Sequence, residues 1–316
     1  MRAMVYSSYG GPERLEMVYL PRPTPAAGQV LVRVVTSSVN PVDWKVASGK
    51  YRLILPVKMP HVPGIDLAGE VVETGPGVTA FSTGDLVHAR LSGRGGTSAE
   101  FALAGQDVTV KVPEGMDPGQ AAGLPLAGLT ALQGLRDRAG MPLSGARERV
   151  LVVGASGGVG HLAVQIARAA GATVVGVCSG RNAQLVTELG AHEVIDYTRP
   201  DAYRGQAPFD VILDCVGGSP YNWLPRLGPG GRFASVLPSP SVFLREALNP
   251  LTGKKVRTVM LKTNAPDLAI LDRLFEAGKL RVVIDSRFPL ADLPRAWERS
   301  RSGRAAGKIV IDVAPG

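Results

Sequence analysis

The stretch "VLVVGASGGVGHLAVQIARAAGA", residues 150–172, restricts the possible fold more than any other. A Val-rich apolar run leads into a glycine cluster, and the cluster opens an Ala/Leu/Ile segment with helical spacing. Strand, glycine turn and helix in that order are the setting in which a G-x-G-x-x-G fingerprint carries meaning. Its three positions are Ala155, Gly157 and Gly160, with Gly154 just ahead. Gly157 would let the backbone approach a pyrophosphate, and Gly160 would let helix and strand pack closely. Ser156, Gly158 and Val159 complete a turn whose N–H groups would meet the phosphates. The competing reading is a tight strand-to-helix turn with no ligand.

The pattern then repeats. "TVVGVCS", "EVIDY", "FDVILDCVGG", "GRFASVL" and "KKVRTVML" (254–261) read as strands, and "NAQLVTELGA" as a further helix. Continuous apolar strands separated by helices predict a parallel sheet covered on both faces. The first helix is expected over 157–171, with Leu162, Val164, Ile166 and Ala167 inward. The chain before residue 118 has another texture. "QVLVRVVTSSV" (29–39) alternates, and "DLAGEVVETG", "DLVHARL", "AEFALAG" and "VTVKVP" are short runs ended by Gly or Pro. Such runs predict a barrel-like β domain. "DPGQAAGLPLAGLTALQGLRDRAG" is helical in spacing, and "GKIVIDV" supplies a last strand able to rejoin the first domain. The expected organisation is 1–122 as a β domain, 123–262 as a dinucleotide-binding domain, and 263–316 returning to the first.

An NAD site usually has an acid at the end of the second strand to hold the ribose 2′-OH. Here Ser179, Arg181 and Asn182 occupy that place. A small donor beside a cation suits a 2′-phosphate, so NADPH is expected over NADH. The alternative is that Arg181 only caps the next helix.

Composition limits the partners. The net charge is +8, but the basic residues are scattered, and the densest group, "RSRSGRAAGK" (299–308), has no interleaved aromatics. That favours a solvated basic surface or a phosphate-bearing small ligand over nucleic acid. Two cysteines cannot build a Cys-rich zinc site or a disulfide framework, and the four histidines lie far apart in sequence. "MRAMVYSSYG" has no apolar signal core and no stretch is long enough to span a bilayer, so a cytoplasmic location with no membrane partner is expected.

"VNPVDWKVASG", "VPGIDLAGEV", "AAGLPLAGLTAL", "GASGGVG", "LGAHEVIDYT" and "GKIVI" together resemble the medium-chain dehydrogenase/reductase superfamily, in its zeta-crystallin-like quinone oxidoreductase branch. The likeness spans nearly the whole chain. It implies an α/β protein in which a GroES-like β-barrel catalytic domain accompanies a Rossmann doubly wound parallel-sheet domain. The zinc-ligand positions of metal-dependent relatives fall here on Asn40, Ile65 and Leu126, none a good zinc ligand, so no metal is expected. "PHVPGIDLAGEV" (60–71) then reads as strand, turn and strand around a buried acid, Asp66. Without a Lewis acid, a quinone or α,β-unsaturated carbonyl is the easier hydride acceptor, because it delocalises the incoming charge.

By the same resemblance Asn40 and Tyr51 are catalytic candidates, and Lys45, which departs from the tyrosine that relatives often carry there, is the third and leaves the proton donor open, with Asp43 orienting Lys45. Lys45 and Tyr51 as plain loop residues are the alternative. Asn40, Thr130, Tyr197, Val216 and Lys308 join Ser156, Gly157, Gly158, Val159, Gly160, Ser179, Arg181 and Asn182 as cofactor contacts. Cys178 and Cys215 are read as small buried hydrophobes ending neighbouring strands. The sequence leaves the oligomeric state open, and the resemblance adds a homodimer as one candidate assembly. Reduction of another activated carbonyl or enoyl group, or a non-catalytic NADPH- or nucleic-acid-binding module, are the rival functions.

Overall fold

The structure, a computed structural model, describes residues 1–53, 55–91, 95–217, 222–251 and 255–313. The chain forms two compact units. One comprises Met1–Leu126, Thr263–Glu276 and Val282–Gly316, and the other Ala127–Lys262 and Ala277–Arg281.

The first unit is built from β1 (Arg2–Tyr6), β2 (Leu15–Tyr19), β3 (Gln29–Val39), α1 (Pro41–Ala47), β4 (Asp66–Thr74), β5 (Leu86–Arg90), β6 (Phe101–Gly105), β7 (Thr109–Lys111) and α2 (Pro118–Gly123). β1 and β2 pair as an antiparallel ribbon. The apolar alternation of β3 drives the main sheet. Val30, Val32 and Val34 point into the core with Leu67, Val71 and Val87 of the strands beside it. β3 pairs antiparallel with both β4 and β6, and bulges in the β3–β4 register bend the sheet toward a barrel.

The second unit holds α3 (Pro125–Gln133) from Ala127 onward, β8 (Arg149–Val153), α4 (Gly160–Ala170), β9 (Thr173–Cys178), α5 (Ala183–Glu188), β10 (Glu193–Asp196), β11 (Phe209–Asp214), β12 (Leu227–Ser235), α6 (Pro240–Ala247) and β13 (Lys255–Thr258). Its six strands run in the order β10-β9-β8-β11-β12-β13, every pair parallel. This is the doubly wound order with its switch point between β8 and β11. The chain then returns through α7 (Ala265–Glu276), β14 (Ile284–Pro289), α8 (Leu293–Arg301) and β15 (Lys308–Asp312). β15 lies between β14 and β3, completing a seven-stranded sheet in the first unit. Trp297 of α8 packs into that unit's core.

Several local expectations change. The helical run after residue 118 is two helices, α2 and α3, broken at Pro125, whose ring removes an N–H donor. Residues 134–138 wind as a π turn. The helix expected from residue 157 starts at Gly160, because residues 154–159 form the turn. Cys178 and Cys215 do not end neighbouring strands, since β8 separates β9 from β11 and Cys215 follows β11. The last sheet strand is shorter than 254–261, and Lys254 lies outside the described residues.

Candidate functional site

In the second unit the loop after β8 is shaped by two glycines. Gly154 has φ +76°, and a Cβ there would lie 2.6 Å from Val216 Cγ2 in the loop after β11. A Cβ on Gly160 would lie 2.1 Å from the Gly154 carbonyl oxygen, so only glycine lets α4 begin this close to β8. At Gly157 the nearest atom to a Cβ is 3.3 Å away. The backbone N–H groups of Ser156, Gly158, Val159 and Gly160 have no acceptor among the described residues. Unsatisfied donors at the start of an eleven-residue helix, beside the switch point, are groups that could hold a diphosphate. A bound dinucleotide fits these groups.

The turn after β9 closes on that loop. Asn182 Nδ2 donates to Ser156 Oγ at 2.9 Å, joining two predicted contacts. Ser179 is partly buried and Arg181 exposed. Thr130 is buried in α3. Tyr197 and Val216 are each 60% exposed. One feature went unread in the sequence. Asp196, at the end of β10, packs against Gly180, where a Cβ would lie 2.5 Å from Asp196 Oδ2. Its carboxyl is held below the usual range by hydrogen bonds from the Thr198 hydroxyl and backbone, with smaller help from Gly180 and Arg199. The acid is brought in by the third strand, which spacing from the glycine loop does not reveal.

In the first unit a buried polar cluster gathers on Asp66, which has no exposed surface. Asp66 Oδ1 accepts the Leu126 backbone N–H at 3.1 Å. Oδ2 accepts from Asn40 Nδ2 at 2.8 Å and from Ser38 Oγ at 3.1 Å. Lys308 Nζ donates to Asn40 Oδ1 at 2.6 Å and stands 3.9 Å from Asp66 Oδ2. Arg90 faces Asp66 across the β4–β5 pair. Burial raises the Asp66 carboxyl, opposed by Lys308 and by the Asn40 hydrogen bond. Burial lowers the Lys308 amine, opposed by Asp66 and Asp43. Asn40 and Lys308, distant in sequence, are thus in direct contact.

Asp43 does not orient Lys45. It is buried, and its Oδ2 accepts the Asn40 backbone N–H at 2.7 Å, pinning the start of α1. Lys45 instead lies 5.4 Å over the Trp44 ring, and partial burial, then Lys50, lowers its pKa. Trp44 Nε1 donates to Ser300 Oγ of α8 at 3.1 Å. Tyr51 is partly buried in the turn after α1.

Two of the three positions aligned with zinc ligands, Asn40 and Leu126, therefore both donate to one carboxylate. Among the described residues no group of three or more His, Cys, Asp and Glu side chains comes together to hold an ion. The donor set, an amide, a backbone N–H and a hydroxyl around a lysine-paired acid, does not fit a catalytic zinc.

A GroES-like β unit and a doubly wound dinucleotide unit define a class: nicotinamide-dependent oxidoreductases of two-unit build. Two family models match, "Alcohol dehydrogenase GroES-like domain" over residues 26–114 and "Zinc-binding dehydrogenase" over residues 189–311. The chain is 42% identical to the chloroplast envelope quinone oxidoreductase homolog of Arabidopsis thaliana, over 99% of this chain and 98% of that one. It is 33% identical to the mitochondrial NAD(P)H oxidoreductase RTN4IP1 of Mus musculus, over 90% and 82%. The structure of the quinone oxidoreductase from Coxiella burnetii superposes with a TM-score of 0.90 at 31% identity, covering 99% of each chain. The chain belongs to the quinone oxidoreductase branch of the medium-chain dehydrogenase/reductase superfamily.

It is an oxidoreductase that uses a nicotinamide cofactor and acts on a small molecule. The expected cytoplasmic location does not stand, because these plant and mouse relatives are named as chloroplast and mitochondrial proteins. No helix among the described residues is long and apolar enough to cross a membrane.

Proposed function

We propose that the chain is an NADPH-dependent reductase that delivers hydride to a quinone or α,β-unsaturated carbonyl without a metal. The observation that carries this reading is the Asn40 amide, held between the Lys308 ammonium and the Asp66 carboxylate where metal-dependent relatives place a ligand. A fixed amide donor and a buried cation give modest electrophilic help. That is enough for an acceptor that spreads charge onto its own oxygen, and too little for a simple ketone.

The chemistry a bound nicotinamide supplies is hydride transfer. The N–H groups at Ser156, Gly158, Val159 and Gly160 hold the diphosphate, and Ser179 with Arg181 receives the 2′-phosphate. One Nδ2 hydrogen of Asn40 remains without an acceptor among the described residues and donates to the acceptor's oxygen. Tyr51 and Lys45, near it in chain and both partly buried, are the proton sources. A second reading, that NADH is also used, is favoured by Asp196 against Gly180, a carboxylate suited to a free ribose hydroxyl.

The test is consumption of NADPH and of NADH by protein purified without chelator, with a naphthoquinone, an enone and a simple ketone. The reading expects quinone or enone turnover exceeding ketone turnover by about 100-fold or more, unchanged by EDTA, with NADPH preferred. Ketone reduction abolished by EDTA and restored by zinc would overturn it. Equal kcat/KM for the two donors would favour the second reading.

A further inference from the structure

We propose that Lys308 is a positioning residue that fixes which way the Asn40 amide faces, acting through Asn40 and not on the cofactor. This rests on the reading above that Asn40 touches the acceptor. Asn40 Oδ1 meets the ammonium at 2.6 Å and Nδ2 meets Asp66 Oδ2 at 2.8 Å. Rotating the amide by half a turn would set NH2 against an ammonium and oxygen against a carboxylate, so one orientation is excluded at both ends. The orientation that remains offers an N–H, not a carbonyl, as the amide's unused group.

The lysine itself is closely held. It is 3% exposed, and Nζ also reaches the Val39 carbonyl at 3.5 Å. Its Nζ stands 3.9 Å from Asp66, whose other oxygen is taken by the Leu126 N–H. A Cβ at Gly123 of α2 would lie 2.9 Å from Val282 Cγ1 and 3.4 Å from Lys308 Cβ and Cγ, so α2 packs closely over the lysine stem. Burying an ammonium is unfavourable unless it is paired and hydrogen-bonded, and here both conditions are met by groups that also hold Asn40.

A double-mutant cycle tests this in the full-length enzyme with NADPH and a quinone. Asn40→Ala and Lys308→Met should each lower kcat by about 10- to 100-fold while the NADPH KM moves by about twofold or less. Asn40→Ala/Lys308→Met should be no slower than the slower single variant, because the lysine has nothing left to orient. Multiplying losses, or a Lys308→Met loss confined to NADPH affinity, would overturn the proposal while leaving Asn40 in place. Asn40→Ala with wild-type kcat would remove the reading on which it rests.

Lys308→Met strips Asp66 of its hydrogen-bond-linked cation and leaves it facing Arg90, so Lys308→Met/Asp66→Asn, which removes one charge of each sign, is made beside it and should show the same kcat loss. Failure of both to fold would make Lys308 a residue of the fold alone and would also overturn the proposal.

Discussion

At the scale of single residues, the cluster around Asp66 gathers charges that a core ordinarily excludes. Asp43 shows the consequence most clearly. Burial pushes its carboxyl up to about 7, opposed by the Asn40 N–H and aggravated by Asp66. In the unfolded chain an aspartic acid loses its proton near pH ~3.9. Between about pH 4 and 7 the folded protein therefore binds more protons at this site than the unfolded one. Stability from Asp43 is complete below about pH 4, declines as pH rises, and is fully lost above about pH 7. Asp43→Asn keeps an oxygen for the Asn40 N–H and deletes the titration. The expected result is that the variant gains on wild type as pH rises from 4 to 7, by a few kcal/mol in all, and that the gap then stays constant. Melting temperatures of both proteins across that range check it. Parallel curves would mean that Asp43 does not titrate there.

At the scale of elements, the strand, turn and helix order of the glycine loop was legible, and the helix start and the loop's neighbour were not. The "VLVVGASGGVG" run signals strand, turn and helix by itself, because each local preference agrees with the next. The helix start at Gly160 has no such local signal, since what sets it is the approach of Gly154's carbonyl. The break at Pro125 could be read from the proline's missing N–H, yet the Ala/Leu spacing on both sides hid it. Asp196 was invisible for another reason: parallel pairing with Cys178 of β9 brings it to Gly180, and pairing is a property of the sheet. The loop's tight packing carries its own prediction. Gly160→Ala forces α4 away from β8 or distorts the turn, since a methyl 2.1 Å from a backbone oxygen has no side chain to displace. Overpacking of this kind costs roughly 1–3 kcal/mol, and in a chain this large it lowers Tm by several degrees. The shifted N–H groups should raise the NADPH Kd by about tenfold or more. A scanning melt and a fluorescence titration read the two effects, and wild-type values in both would remove Gly160 from the groups proposed to hold the diphosphate.

At the scale of the whole chain, what the sequence left hidden is mostly distance. "GKIVI" reads as a terminal strand, and resemblance places Lys308 among cofactor contacts. Nothing in the spacing says that β15 inserts between β14 and β3, which puts residue 308 on residue 40. That insertion makes the last strand a requirement for the first unit. Ile309, Val310, Ile311 and Val313 are each at most 4% exposed. Burying four such side chains contributes roughly 6–12 kcal/mol, comparable with the net stability of about 5–15 kcal/mol that a domain has to lose. A chain ending at Gly307 also leaves β3 and β14 with open edges, since β15 is hydrogen-bonded to both. The truncated protein should therefore lose hydrogen-exchange protection along β3 and β14. Lys308→Met, which keeps the strand and its apolar side chains, should retain that protection and lose only turnover. Equal protection in the truncated and full-length chains would show that β15 is dispensable to the sheet, and Lys308 would then have no rigid element from which to hold Asn40.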